Sequence, residues 1–104
     1  MYDLLIRNGT VVDGSGNPGY RADVAIQDGR IAEIGDVSGR AKRELDADGQ
    51  VVTPGFIDGH THLDAQMHWD PLGSSSCWQG ITTAVMGNCG FTLAPRPNTR
   101  RALA

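Results

Sequence analysis

Two histidines separated by one residue, His60 and His62, and one cysteine, Cys89, are the side chains of this sequence best suited to hold a transition metal. The apolar run Phe56-Ile57-Asp58 leads straight into Gly59-His60-Thr61-His62 and reads as a short strand. Side chains alternate across a strand, so His60 and His62 share a face, with Phe56 and Asp58 behind them. Their Cα atoms are expected about 6.6 Å apart, at about 3.3 Å per residue. Two imidazoles at that spacing can converge on one cation at about 2.0–2.1 Å each. Ile81-Thr82-Thr83-Ala84-Val85-Met86 is rich in β-branched residues and reads as a second strand, running into Gly87-Asn88-Cys89-Gly90. Cys89 thus falls at the matching strand end, and a thiolate is a good zinc ligand at about 2.3 Å. Imidazole and thiolate also suit other transition metals, so zinc is expected from ligand softness rather than fixed by it. Asp58 and Asp64 flank the histidines and are candidates to orient a ligand from behind, as carboxylates beside metal sites do.

The elements that must position these residues can be read on either side of Thr53-Pro54-Gly55. After it, Asp70-Pro71 opens a helix candidate over Leu72–Gln79, and Gly80 ends it. In that helix Cys77, beside Trp78, is expected to pack into a core, and His68 is expected in a loop. Strand, helix and strand within about 35 residues form a βαβ unit with parallel strands. Before it, residues 1–50 contain no His, Cys or Trp. Asn8-Gly9, Asp28-Gly29 and Asp48-Gly49 recur every twenty residues between apolar runs, and each dipeptide suits a type I′ turn. They predict an antiparallel sheet of successive hairpins. The Gly-rich stretch Asp13–Gly19 lacks the Gly-Lys-Ser/Thr ending of a phosphate loop and reads as a surface loop. The expected division is therefore 1–53 and 54–104.

Composition narrows the function classes. The chain has 104 residues, 9 basic and 12 acidic, for a net charge of −3. No basic patch of the kind nucleic acid requires is visible, and no apolar run of about 18 residues could cross a membrane. The N-terminus lacks a secretion signal, and two cysteines are too few for a disulfide scaffold; free thiols in a reducing cytoplasm are expected. A complete barrel enzyme of roughly 250 residues does not fit in this length.

Pro54-Gly55-Phe56-Ile57-Asp58-Gly59-His60-Thr61-His62 resembles the opening of the amidohydrolase superfamily. Leu63-Asp64-Ala65-Gln66, Trp69-Asp70-Pro71, Gln79-Gly80-Ile81-Thr82-Thr83, Val85-Met86-Gly87-Asn88-Cys89-Gly90 and Ala94-Pro95 are similar to its N-acyl-D-amino-acid deacylase (D-aminoacylase-like) branch. The resemblance implies an α/β parent protein. In it, residues 1–53 form part of a β-sandwich, and residues 54–104 the first two strands of a TIM-type (β/α)8 barrel. It implies zinc bound by His60, His62 and Cys89, the cysteine standing where relatives use a carboxylated lysine; the only lysine here is Lys42. Leu63 occupies a place where the family usually carries Asp or Tyr. The implied substrate is a small N-acyl-D-amino acid, cleaved to a carboxylate and a D-amino acid. Two further histidines and the catalytic aspartate are expected on strands beyond Ala104, so the chain is expected to be an inactive N-terminal fragment. Its bare strand edges would need the rest of a barrel, or self-association, to cover them. Two alternatives remain open: a short non-catalytic metal- or partner-binding protein, and a cyclic-amide hydrolase or deaminase of the same superfamily.

Overall fold

The computed structural model describes residues 1–89. Two compact units divide the chain, Met1–Pro54 and Gly55–Ala104. The first is a five-stranded mixed sheet built from β1 (Tyr2–Val11), β2 (Tyr20–Gln27), β3 (Arg30–Gly35), β4 (Ala41–Asp46) and β5 (Val51–Val52). The strand order is β3-β2-β1-β4, with β5 also paired to β1.

Of the three turn dipeptides, one makes the expected hairpin. Gln27 pairs with Arg30 across Asp28-Gly29, and both turn residues have positive φ, 52° and 72°. That is the type I′ geometry whose twist matches antiparallel strands. Asn8-Gly9 instead lies inside β1 as a bulge. Ile6 pairs with Val24 and Gly9 with Ala22, so three β1 steps face two of β2. The extra residue reverses the alternation, and Val11 falls on the same face as Ile6. Asp48-Gly49 does not reverse the chain either. Strands β4 and β5 both run parallel to β1, and the turn only offsets them along it.

The expectation of an all-antiparallel sheet fails for a physical reason. After β3 the chain crosses the sheet through Asp36–Arg40 instead of folding back, because Val37 (2% exposed) buries against Leu5 and Ala25. Arg7 fastens this crossover. Its guanidinium donates to the carbonyls of Val37 and Gly39, each at 2.9 Å, and pairs with Asp23 at 3.2 Å and Glu44 at 3.1 Å.

Several carboxylates of this unit are held below the ordinary carboxylate range. Lys42 Nζ donates to Asp3 at 2.7 Å, and the Asp28 amide donates to its other oxygen. Glu44 is lowered by Arg7 and then by the Ala41 amide, and Asp46 by the Asn8 side chain and then by the Asp48 amide. A depressed folded pKa gives stability that is present above the unfolded value and lost as pH falls through the folded one. The urea midpoint of the chain is therefore expected to hold from about pH 7 to 5 and to decline below about pH 4. These groups are exposed, so added salt should flatten the decline. A midpoint that rises on acidification contradicts this account.

The second unit holds β6 (Phe56–Asp58), α1 (Leu63–Gln66), α2 (Ser74–Cys77) and β7 (Ile81–Ala84). Strands β6 and β7 pair in parallel, Phe56 with Ile81 and Asp58 with Ala84, as a βαβ unit requires. The predicted Leu72–Gln79 helix shrinks to the single turn of α2. Its residues are three serines and a cysteine, weak helix formers, and Gly73 before it has a left-handed φ of 57°. Asp70 still serves the start of this turn, accepting from the Ser74 amide at 2.8 Å and the Ser74 hydroxyl at 2.9 Å. Helix α1 lies in a stretch where sequence shows no helical periodicity. Cys77 does not pack into a core: it is exposed, as is Trp78. His68 sits in the turn after α1, exposed.

Candidate metal centre

His60 and His62 follow β6, and Cys89 follows β7. Parallel pairing puts both strand ends on one side, so the three side chains meet. One donor atom from each, the imidazole nitrogens and the thiol sulfur, lie within 4.8 Å of one another. The two rings stack with centroids 6.5 Å apart and planes 19° off parallel. Tetrahedral zinc with bonds of about 2.0–2.3 Å spaces its donors roughly 3.3–3.7 Å apart. The trio therefore needs only a small contraction to take a cation, and two imidazoles with a thiolate are a donor set that zinc accepts. Both histidines are exposed and Cys89 is half-buried, so the outer side is open to further ligands or substrate. Cys77 and Cys89 are free thiols, and no disulfide ties up the sulfur.

The flanking residues explain how the donors are held. Asp58 Oδ1 accepts from the backbone amide of His60 at 3.1 Å, so it shapes the backbone rather than gripping an imidazole. Thr61 lies between the histidines, in the segment that links β6 to α1. It is 7% exposed and donates its hydroxyl to the Val85 carbonyl at 2.8 Å. Asn88 Nδ2 donates to the Gly59 carbonyl. Asp64 is 4% exposed; Oδ2 accepts from the Gly87 amide at 2.9 Å, and Oδ1 has no partner among the described residues. Gly87 adopts φ 86°, which a side chain would strain. Gly55 is required by close approach, since a Cβ there would clash with the Thr82 side chain. Lys42 is on β4, paired with Asp3, and belongs to the first unit rather than to the strand ends that carry the donors.

Thr61 and Asn88 are the functional residues that sequence reading passed over. A strand continuing through His62 would set Thr61 opposite the histidines, but β6 ends at Asp58 and Thr61 is placed by its bond to Val85; nothing in the sequence marks Asn88 as a bridge to Gly59. Gly90 and Ala94-Pro95, part of the motif run, lie outside the described residues.

Comparison with known proteins places this geometry in a family context. The model of a family described as the amidohydrolase family matches residues 43–103, more than half of the 104. An N-acyl-D-glutamate deacylase of Alcaligenes xylosoxydans xylosoxydans is 51% identical over 98% of this chain and 22% of its own length. A D-aminoacylase of the same organism is 48% identical over 90% of this chain and 20% of its own. Among solved structures, the Bordetella bronchiseptica N-acyl-D-glutamate deacylase superposes with a TM-score of 0.82. It is 45% identical over 92% of this chain and 20% of its own, and was solved with zinc and a phosphonate that mimics the tetrahedral intermediate. The chain thus spans about a fifth of the length of the relatives it matches.

Proposed function

This chain belongs to the amidohydrolase family, and on that footing we propose that its protein hydrolyses the amide of N-acyl-D-amino acids with zinc held by His60, His62 and Cys89. The observation that carries the reading is the convergence of these three donor atoms within 4.8 Å at the ends of two parallel strands. That is the placement expected of the first two strands of a (β/α)8 barrel, whose sites form at the C-terminal strand ends. Bound zinc supplies Lewis acidity, polarising the amide carbonyl and making water a nucleophile near neutral pH.

The chain's own residues have narrower tasks. His60 and His62 offer neutral nitrogens, and Cys89 offers a thiolate, whose charge partly neutralises the cation. Asp58 and Thr61 fix the backbone from which the histidines project. A hydrolase of this kind also needs a group that takes a proton from water and returns it to the departing amine. We assign that group to an aspartate in the part of the relatives' length that these residues do not span. The two free thiols fit a reducing compartment, the cytoplasm.

The test is zinc-dependent release of free amino acid from N-acetyl-D-glutamate and its L-enantiomer, by the complete gene product and by the 104-residue chain. The complete product is expected to act on the D-enantiomer only, and the chain alone to bind zinc without turnover. Hydrolysis by the chain alone overturns the assignment of the proton-transfer group elsewhere. Absence of hydrolysis by the complete product across N-acyl-D-amino acids overturns the deacylase reading.

A further inference from the structure

We propose that Asp64 is a positioning residue that sets the place of the Cys89 sulfur; the inference rests on the metal-site reading above. The β6–β7 ladder stops at Asp58 and Ala84, extended only by the Val85 amide donating to the Asp58 carbonyl at 2.8 Å. Cys89 lies five residues past the end of β7, where no ladder holds it. Among the described residues three side chains reach this segment: Thr61 to the Val85 carbonyl, Asn88 to the Gly59 carbonyl, and Asp64 to the Gly87 amide. The Asp64 bond differs from the other two in that its acceptor is a side-chain carboxylate rather than a backbone carbonyl.

The hydrogen bond of Asp64 goes outside the helix it opens. Helix α1 has no side-chain capping bond, and Asp64 reaches across 23 positions to Gly87 instead. Asp64 is two residues after His62, and Gly87 is two residues before Cys89. One carboxylate therefore joins the two arms that carry the donors. A charge-assisted bond to a backbone amide is short and directional, and Gly87, at φ 86°, is the point where the chain turns toward Cys89. Asp64 Oδ1 is unpartnered among the described residues, so this carboxylate's recorded bond is the one to the Gly87 amide, and its loss is expected to loosen the turn that leads to Cys89 while leaving the histidine arm intact.

Cobalt(II) serves as the probe, because the part of its thiolate charge-transfer band that Cys89→Ser abolishes reports Cys89 while its ligand-field bands report the whole site. The 104-residue chain, Asp64→Leu, Asp64→Asn and Cys89→Ser are titrated with cobalt(II), and zinc affinity is measured by competition. Asp64→Leu, shown folded by circular dichroism, is expected to lose most of the thiolate band and about 10- to 100-fold in zinc affinity. Asp64→Asn keeps an acceptor for the Gly87 amide and is expected to restore the band. A folded Asp64→Leu with the parent's band and affinity overturns the proposal. So does an Asp64→Asn as defective as the leucine variant, since charge rather than tethering would then be at work. Should Asp64→Leu unfold, hydrogen exchange in the unaltered chain decides: a protected Gly87 amide supports the tether, and free-loop exchange overturns it. Failure of the unaltered chain to bind zinc or cobalt overturns the metal reading and this inference together. Binding with a thiolate band that Asp64→Leu leaves unchanged overturns this inference alone.

Discussion

Replacing Cys89 by alanine is expected to weaken zinc binding on the order of 10²- to 10³-fold. Structural zinc sites gain about 10–16 kcal/mol from roughly four ligands, so one ligand accounts for about 2.5–4 kcal/mol, which is that factor in affinity. The loss should be at the upper end here. Cys89 is the only anionic donor of the trio, and its sulfur is the donor on the β7 side of the site. Cys89→Ser should recover little, because a hydroxyl is a poor substitute for a thiolate toward zinc. His60→Ala and His62→Ala are expected to cost comparable factors, whereas His68→Ala should cost nothing, since His68 is an exposed turn residue outside the cluster. Competition titration against a zinc chelator measures all five. Unchanged affinity in Cys89→Ser would detach the cysteine from the metal. It would favour the cyclic-amide hydrolase or deaminase reading, in which the paired histidines matter and Cys89 does not.

The site was more legible in the sequence than the scaffold was, and the difference has a physical origin. His60, His62 and Cys89 are rare residue types at strand ends, and parallel pairing follows from the strand-helix-strand spacing alone. Their convergence needs no knowledge of distant contacts. Turn dipeptides are weaker guides. Asp28-Gly29 formed its hairpin because β2 and β3, the strands directly flanking it, pair with each other. Asn8-Gly9, of the same type, was absorbed as a bulge because β1 continues through it to reach Val52 and Ala22. What decides between the two is pairing partners far along the chain, and a local dipeptide carries no trace of them. The same holds for Arg7. Its four partners come from positions 23, 37, 39 and 44, and only the folded chain shows that an arginine inside an apolar strand is the fastener of a crossover. Helix α1 escaped notice because a single turn of four residues is too short for periodicity to register.

Leu5→Ala is expected to cost the first unit about 2–5 kcal/mol, the largest loss of stability from any single truncation there. Leu5 is fully buried, pairs with Ala25 across β1 and β2, and packs under Val37 on the crossover. Ala25 has no side chain with which to fill the space, and Val37 is pinned by Arg7 bonding to its carbonyl, so the cavity cannot readily collapse. Small units bury less of their surface on folding and sit near the low end of the roughly 5–15 kcal/mol typical of native domains. A loss of this size should therefore leave a measurable unfolded fraction at room temperature. Ile31 provides the contrast. It is 64% exposed on the edge strand β3, and Ile31→Ala should stay within about 0.5 kcal/mol, as surface changes do. Urea unfolding of the two variants distinguishes them. Equal losses would mean that the Ile31 position is covered in solution and that the packing around Leu5 is not the dominant core. A large gap would fix the crossover through Val37 as the element that makes a mixed sheet, rather than a ladder of hairpins, the stable arrangement of these residues.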